Sequence, residues 1–289
     1  VNPQEYCQEK AAKSGSSFYY SFRLLEPDRR AAITALYAFC REVDDVVDEC
    51  LEPQLARIKL GWWRTELDAL YAGQPSHPVT RALAPAVQRY DLPREQLLEI
   101  IDGMEMDVDI NRYATFKELS LYCYRVAGVV GLLSAQIFGY QDRATQKYAH
   151  DLGIAFQLTN IIRDVREDAE RNRIYLPQED LRRFHVDEEE ILHFHETDKF
   201  RQLMAFQARR AEEYYDRALA QLPESDRYAQ LPGLVMARIY RELLREIGAD
   251  GWPVLHQRTA LTPLRKLMIA WRTAREEKRR YKAWRRSEA

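Results

Sequence analysis

Cysteine is scarce in this chain of 289 residues: Cys7, Cys40, Cys50 and Cys123 make no CxxC pair and fall in apolar or helical contexts. That spacing argues against a disulfide frame or a zinc site and suits a reducing cytoplasm. Glycine and proline number only 11 and 12 and never gather into a linker, so a single domain over 1–289 is expected although the length would permit two. No GxGxxG follows a strand-like segment, which removes the usual dinucleotide fingerprint. Alternating β-branched runs, internal repeats and low-complexity tracts are nearly absent, which argues against sheets and solenoids. The sequence reads without a signal peptide, and no uninterrupted apolar run reaches about 18 residues, so no membrane span is expected. Net charge is only −2, and with no recognised module nucleic-acid binding is not expected. Histidines are scattered; His193 and His195 stand two apart, about 200° around a helix, and cannot face one metal from one side.

What the chain does have is helical periodicity from end to end. Helices are expected over about 28–50, 54–72, 78–90, 94–111, 116–139, 142–171, 199–222, 226–249 and 263–285, with Pro53, Pro93, Pro223 and Pro263 at boundaries. The fold class is therefore all-α. Two acid clusters stand out on separate helices: Asp44, Asp45 and Asp48, and Asn160, Asp164 and Asp168. Residues four apart on a helix differ by about 40° in direction, so Asp44 and Asp48 form one stripe and Asn160, Asp164 and Asp168 another, with Gln157 one turn earlier on the second. Acid runs on helices are usually solvated faces, but both stripes begin inside strongly apolar segments. Carboxylates without thiol or imidazole partners suit hard cations, and Mg²⁺ takes one or two of them alongside water and phosphate oxygens. Arg41 and Arg163 precede the aspartates within one turn; a metal does not need them, whereas a phosphate does.

Five blocks in order, Ser14 to Tyr20, Leu36 to Asp48, Tyr122 to Gly131, Gln157 to Asp168 and Arg173 to Pro177, make the sequence resemble the squalene and phytoene synthases, head-to-head prenyltransferases of the isoprenoid synthase fold. The likeness runs from about residue 5 to about 270. Gly103 to Asp107 and Val254 to Leu267 bring it nearest to bacterial hopanoid-pathway presqualene diphosphate synthases. The resemblance implies a helical bundle around a central prenyl-binding cavity. It implies Mg²⁺ held by Asp44, Asp48, Asn160 and Asp164, with Asp45 and Asp168 as supporting acids, and diphosphate held by Arg41, Arg163 and Arg258. Ser17 and Phe18 would close the N-terminal end of the site, Ser14 would bind substrate, Gln157 would line the site, and Tyr37, Tyr122 and Tyr240 would stabilise a carbocation through their π faces. The implied reaction joins two farnesyl diphosphates into presqualene diphosphate, NADPH not being expected; phytoene and squalene or dehydrosqualene synthesis are the sister activities. A chain-elongating prenyltransferase or a non-catalytic helical binding protein would fit less of the pattern. One departure is Arg166, where the family commonly has glycine, which should add positive charge near the diphosphate. Downstream isoprenoid enzymes are conceivable partners.

Two further features stand apart. Gly128 and Gly131 interrupt a good helix at about 1 kcal/mol each, for close helix packing or for room beside a prenyl tail. From Leu264 to Ala289 there are ten Lys or Arg against three Glu, with Leu267, Ile269, Trp271, Tyr281 and Trp284 interleaved. This basic helix at about 264–286 is expected either to lie on anionic lipid at the inner membrane face or to dock on the acidic body.

Overall fold

The computed structural model describes residues 2–289, whose only strand-like pairing is an isolated bridge between Arg112 and Ile174. The helices are α1 (Pro3–Lys13), α2 (Phe18–Phe22), α3 (Pro27–Glu49), α4 (Pro53–Tyr71), α5 (Pro78–Tyr90), α6 (Arg94–Asp109), α7 (Phe116–Cys123) and α8 (Val129–Phe138), the last two joined by a π-helical turn at Tyr124–Gly128. They continue as α9 (Ala144–Arg163), α10 (Val165–Glu170), α11 (Gln178–Arg183), α12 (Glu188–Leu192), α13 (Asp198–Gln221), α14 (Glu224–Arg227), α15 (Leu231–Ala249) and α16 (Pro263–Ser287).

Prolines open α1, α3, α4, α5 and α16 in the first turn, where the missing N–H costs nothing. On α3 the buried face runs Ile33, Leu36, Phe39, Val43, Val46 and Val47, a helical apolar stripe that leaves the acids on the adjoining arc. Helix α9 is buried nearly all round, from Tyr148 through Ile162, and serves as the central post. Two apolar clusters result. One gathers α9, α13, α15 and their neighbours, the other α1 and α3 to α6 with α8; Phe18 and Val126 pack against both.

Three expectations need correction. The helix expected over 142–171 breaks at Asp164, whose φ of −104° and ψ of 20° end α9 and start α10. The chain bends there while keeping one helical bond, from the Asp168 N–H to the Asp164 carbonyl at 3.0 Å. Second, α1 and α2 precede the first expected helix; Asn2 caps α1 by accepting from the Gln4 and Glu5 N–H groups. Third, the stretch Phe116–Phe138 is long and apolar enough by length and composition to cross a membrane, with mean hydropathy 1.4. Arg125 interrupts it, so a search for unbroken apolar runs passes it by. In the fold it packs against α9 and α6, burying Tyr122, Cys123, Val129, Leu133 and Ile137.

Candidate active site

A deep cavity opens between the two clusters, walled by α2, α3, α8, α9 and α15 and by the segment before α16. Its interior is apolar, with Phe22, Leu36, Val130, Leu152, Phe156, Met236 and Leu243 among its walls. Phe18 stands at its centre, its ring 5.9 Å from those of Tyr37 and Phe156 and 6.3 Å from that of Tyr240. The Tyr37 hydroxyl donates to Ser14 Oγ at 3.0 Å, tying the N-terminal loop to α3. The glycines of α8 and α9 also belong to this wall, but their missing side chains face backbone. A Cβ on Gly131 would lie 2.3 Å from the Ala149 carbonyl oxygen, and one on Gly153 2.4 Å from that of Ala127. Close packing of α8 on α9 is what they permit.

Of the residues expected at the site, Ser14, Ser17, Phe18, Tyr37, Arg41, Asp44, Tyr122, Gln157, Asn160, Arg163, Tyr240 and Arg258 line this cavity. Asp44 and Asn160 line one end of it, and Asp107 lies near enough to both stripes for its charge to help raise Asp44 and Asp168. Asp44 is pushed up to about 7, by burial first and then by Asp48; Asp168 is pushed up to about 8, by burial and then by Asp164. Asp164 behaves oppositely. Burial would raise it, but the Arg163 fork, at 2.7 Å to both carboxylate oxygens, and Arg258 at 3.0 Å hold it below the usual carboxylate range. Asp48 is met by Arg171 at 3.2 Å and Arg173 at 3.5 Å.

Several placements differ from the sequence reading. Asp45, Asp48, Asp164 and Asp168 are not among the cavity's lining residues; Asp45 further sits about 100° round α3 from Asp44, where Lys10 at 2.6 Å and Arg41 at 3.0 Å hold it. Arg166 adds no charge at the cavity: it donates to the Leu255 carbonyl at 2.9 Å, pairs with Glu170, and lies 4.4 Å above the Phe194 ring. Two residues were missed. Lys266 entered only within the Val254 to Leu267 block and as tail charge, with no site role, yet it lines the cavity, where burial and then Arg163 and Arg258 lower its pKa. Asp107 is half-buried between the stripes, accepting from Tyr122 at 2.8 Å and Tyr175 at 2.6 Å, and desolvation raises its pKa. Its place within a quoted family block was the available signal.

The donor set fits a hard cation. Asn160 Oδ1 is buried without a hydrogen-bond partner, and Asp44 and Asp168, one from each stripe, carry suppressed charge that a nearby cation would restore. Among the described residues no three acidic, His or Cys side chains converge on one point.

A family model described as squalene/phytoene synthase matches residues 11–265. The chain is 36% identical over 282 residues to a 15-cis-phytoene synthase of Synechocystis sp., covering 92% of this chain and 84% of the relative. It is 37% identical over 268 residues to the chloroplastic phytoene synthase 2 of Solanum lycopersicum, covering 91% and 86%. Among solved structures it is similar to a dehydrosqualene synthase in complex with a ligand, with TM-score 0.85 at 29% identity and 96% of each chain covered. It is also similar to squalene synthase HpnC from Alicyclobacillus acidocaldarius, with TM-score 0.76 at 27% identity, covering 86% of this chain and 94% of that one.

Proposed function

This chain belongs to the squalene/phytoene synthase family, and from that premise we propose that it joins two farnesyl diphosphates head to head into presqualene diphosphate, releasing one diphosphate and one proton. The observation that carries the reading is a juxtaposition: two acid stripes with flanking arginines stand at one end of a single aromatic-lined apolar cavity.

Asp44, Asp48, Asn160, Asp164 and Asp168 would hold Mg²⁺, which supplies positive charge to the oxygens of the departing diphosphate. Arg41, Arg163 and Arg258 rest on carboxylates in the free protein, so their forks are already at the rim for phosphate to accept. Asp45 is then a positioning partner of Arg41 rather than a ligand. Loss of diphosphate leaves an allylic cation at C1 of one chain. The rings of Phe18, Tyr37 and Tyr240 offer it negative π faces without a lone pair that would capture it, and the apolar walls exclude water. The C2–C3 double bond of the second chain attacks that carbon, and loss of a proton from it closes the cyclopropane. Ser14, Ser17 and Gln157 line the cavity, and Tyr122 is held in place by Asp107.

A second reading, condensation of two geranylgeranyl diphosphates to phytoene, is favoured by the names of the sequence relatives; squalene or dehydrosqualene would be further sister products. The first is favoured by the blocks at Gly103 to Asp107 and Val254 to Leu267, the latter containing Arg258 and Lys266 at the cavity. Use of NADPH is not part of the proposal. One domain over 1–289, a cytoplasmic location, peripheral contact with anionic lipid and contact with downstream isoprenoid enzymes are. Incubation with farnesyl or geranylgeranyl diphosphate, each with and without NADPH, followed by mass analysis, tests it. Presqualene diphosphate from the C15 substrate supports the first reading, and preferential phytoene formation replaces it with the second.

A further inference from the structure

Helix α16 has two unlike faces. Its inward side is docked: Ala270, Thr273 and Glu277 are buried, Arg227 forks onto Glu277 at 2.7 and 2.8 Å, Arg280 pairs with Glu224, and Tyr281 stacks on Tyr228 at 4.8 Å. On that side Lys266, with Leu261 just before the helix, walls the cavity.

The outward side changes character along its length. Leu264, Leu267, Met268 and Trp271 fall at i, i+3, i+4 and i+7, one stripe on the helix surface, and are 45% to 68% exposed. Beyond them, every position on the same arc up to Arg286 is a cation: Arg275, Lys278, Arg279, Lys282, Arg285 and Arg286, all exposed. Among the described residues none of these six is in an ion pair, and the helix acids Glu276 and Glu277 are taken by Arg238 and Arg227. The guanidinium of Arg275 lies 5.3 Å from the Trp271 ring centre, where stripe and cations join.

We infer that this face docks on an anionic lipid surface, the first two turns entering the boundary between headgroups and acyl chains and the six cations lying along the lipid phosphates. An apolar stripe ending in an aromatic ring and continued by cations alone matches both layers of such a surface: hydrocarbon below, phosphate above. A second copy of this face would set the same cations against each other, and an acidic protein would match the cations but not the stripe. The sequence left the basic helix either on anionic lipid or docked on the acidic body, without dividing its residues between the two. The structure removes Arg280, Tyr281 and the inward side from that contact and adds Leu264, Leu267, Met268 and Trp271. The helix whose inward side walls the cavity then rests its outward side on the bilayer. The inference stands apart from the reaction proposed above.

The test uses the full chain without substrate or metal and phosphatidylcholine vesicles with or without phosphatidylglycerol, read by flotation. Wild type should float with the anionic vesicles far better than with the neutral ones. The triple variants Leu267→Gln/Met268→Gln/Trp271→Gln and Arg275→Glu/Arg279→Glu/Lys282→Glu should each weaken binding about tenfold or more. Leu55→Gln/Ile58→Gln, at positions 43% and 68% exposed on α4, should bind as wild type. Should a triple variant fail to fold by circular dichroism, the tryptophan emission of wild type and Trp271→Phe decides: a blue shift on anionic vesicles, diminished in the variant, supports the inference. Equal flotation with both vesicle types, equal loss in the α4 control, a shift unchanged in Trp271→Phe, or loss of a dimer with vesicle binding intact would overturn it.

Discussion

Saturating the metal-free protein with Mg²⁺ should expel protons in a number set by Asp44 and Asp168. With the first pushed up to about 7 and the second to about 8, at pH 7 they hold about 0.5 and 0.9 protons, and a cation that requires both ionised releases about 1.4. At pH 9 the same arithmetic leaves only about 0.1 to release. Because the two groups share one cluster, the total belongs to the set of acids rather than to either residue. The sign follows from the direction of both shifts: protons compete with the metal, so affinity rises with pH through 7 to 8 and levels off above. A pH-stat titration with MgCl₂ against NaCl of equal ionic strength reads the release directly. Asp168→Asn should lower the release at pH 7. Release that is absent at pH 7, equal at pH 7 and 9, or undiminished in Asp168→Asn would refute the assignment of these two carboxylates to the metal.

Four other outcomes follow from the same geometry. Both raised carboxylates bind more protons folded than unfolded between about pH 4 and 8, so metal-free stability should fall as pH rises through that window, and Asp168→Asn should recover on the order of 1–2 kcal/mol at its upper end in thermal or urea unfolding. Asp48→Asn and Asp164→Asn should each lose about a hundredfold or more in turnover with circular dichroism unchanged; near-normal turnover at saturating Mg²⁺ sinks the ligand assignment. Arg41→Lys and Arg163→Lys keep the charge but lose the fork, so inhibition by pyrophosphate should weaken in both, and equal inhibition speaks against diphosphate contact. Gly131→Ala or Gly153→Ala places a methyl within 2.4 Å of a carbonyl oxygen and should cost about 1–3 kcal/mol in urea unfolding; no loss would mean that α8 and α9 can part there.

How far the sequence reaches is visible residue by residue. Helical periodicity with prolines at boundaries located the long helices, and three- or four-residue spacing put Asp44 with Asp48 on α3 and Gln157 and Asn160 on one side of α9, because these are local consequences of helix geometry. Three corrections were available in the sequence. Asp45 is about 100° from Asp44 and Arg166 about 200° from Asp164, so neither shares the stripe of its neighbour, and Asn2 before Pro3 is an N-cap signal that announces α1. The bend at Asp164 and the place of Lys266 were not legible, since both depend on which helix lies opposite. A lysine four residues into a basic helix looks like its neighbours until Arg163 and Arg258 are found beside it. Asp107 is similar: one acid among several on α6, it gains meaning only when Tyr122 and Tyr175 close over it.

The most direct test follows two labelled carbons. Farnesyl diphosphate carrying ¹³C at C1 is incubated with the protein and Mg²⁺, and the diphosphate product is examined by carbon NMR. Head-to-head condensation predicts that one label moves upfield into a cyclopropane ring while the other remains on the carbon bearing the diphosphate. A product with one label in an ordinary chain methylene and the other beside the diphosphate is head-to-tail elongation. That result, or no condensation with either farnesyl or geranylgeranyl diphosphate, would contradict the account.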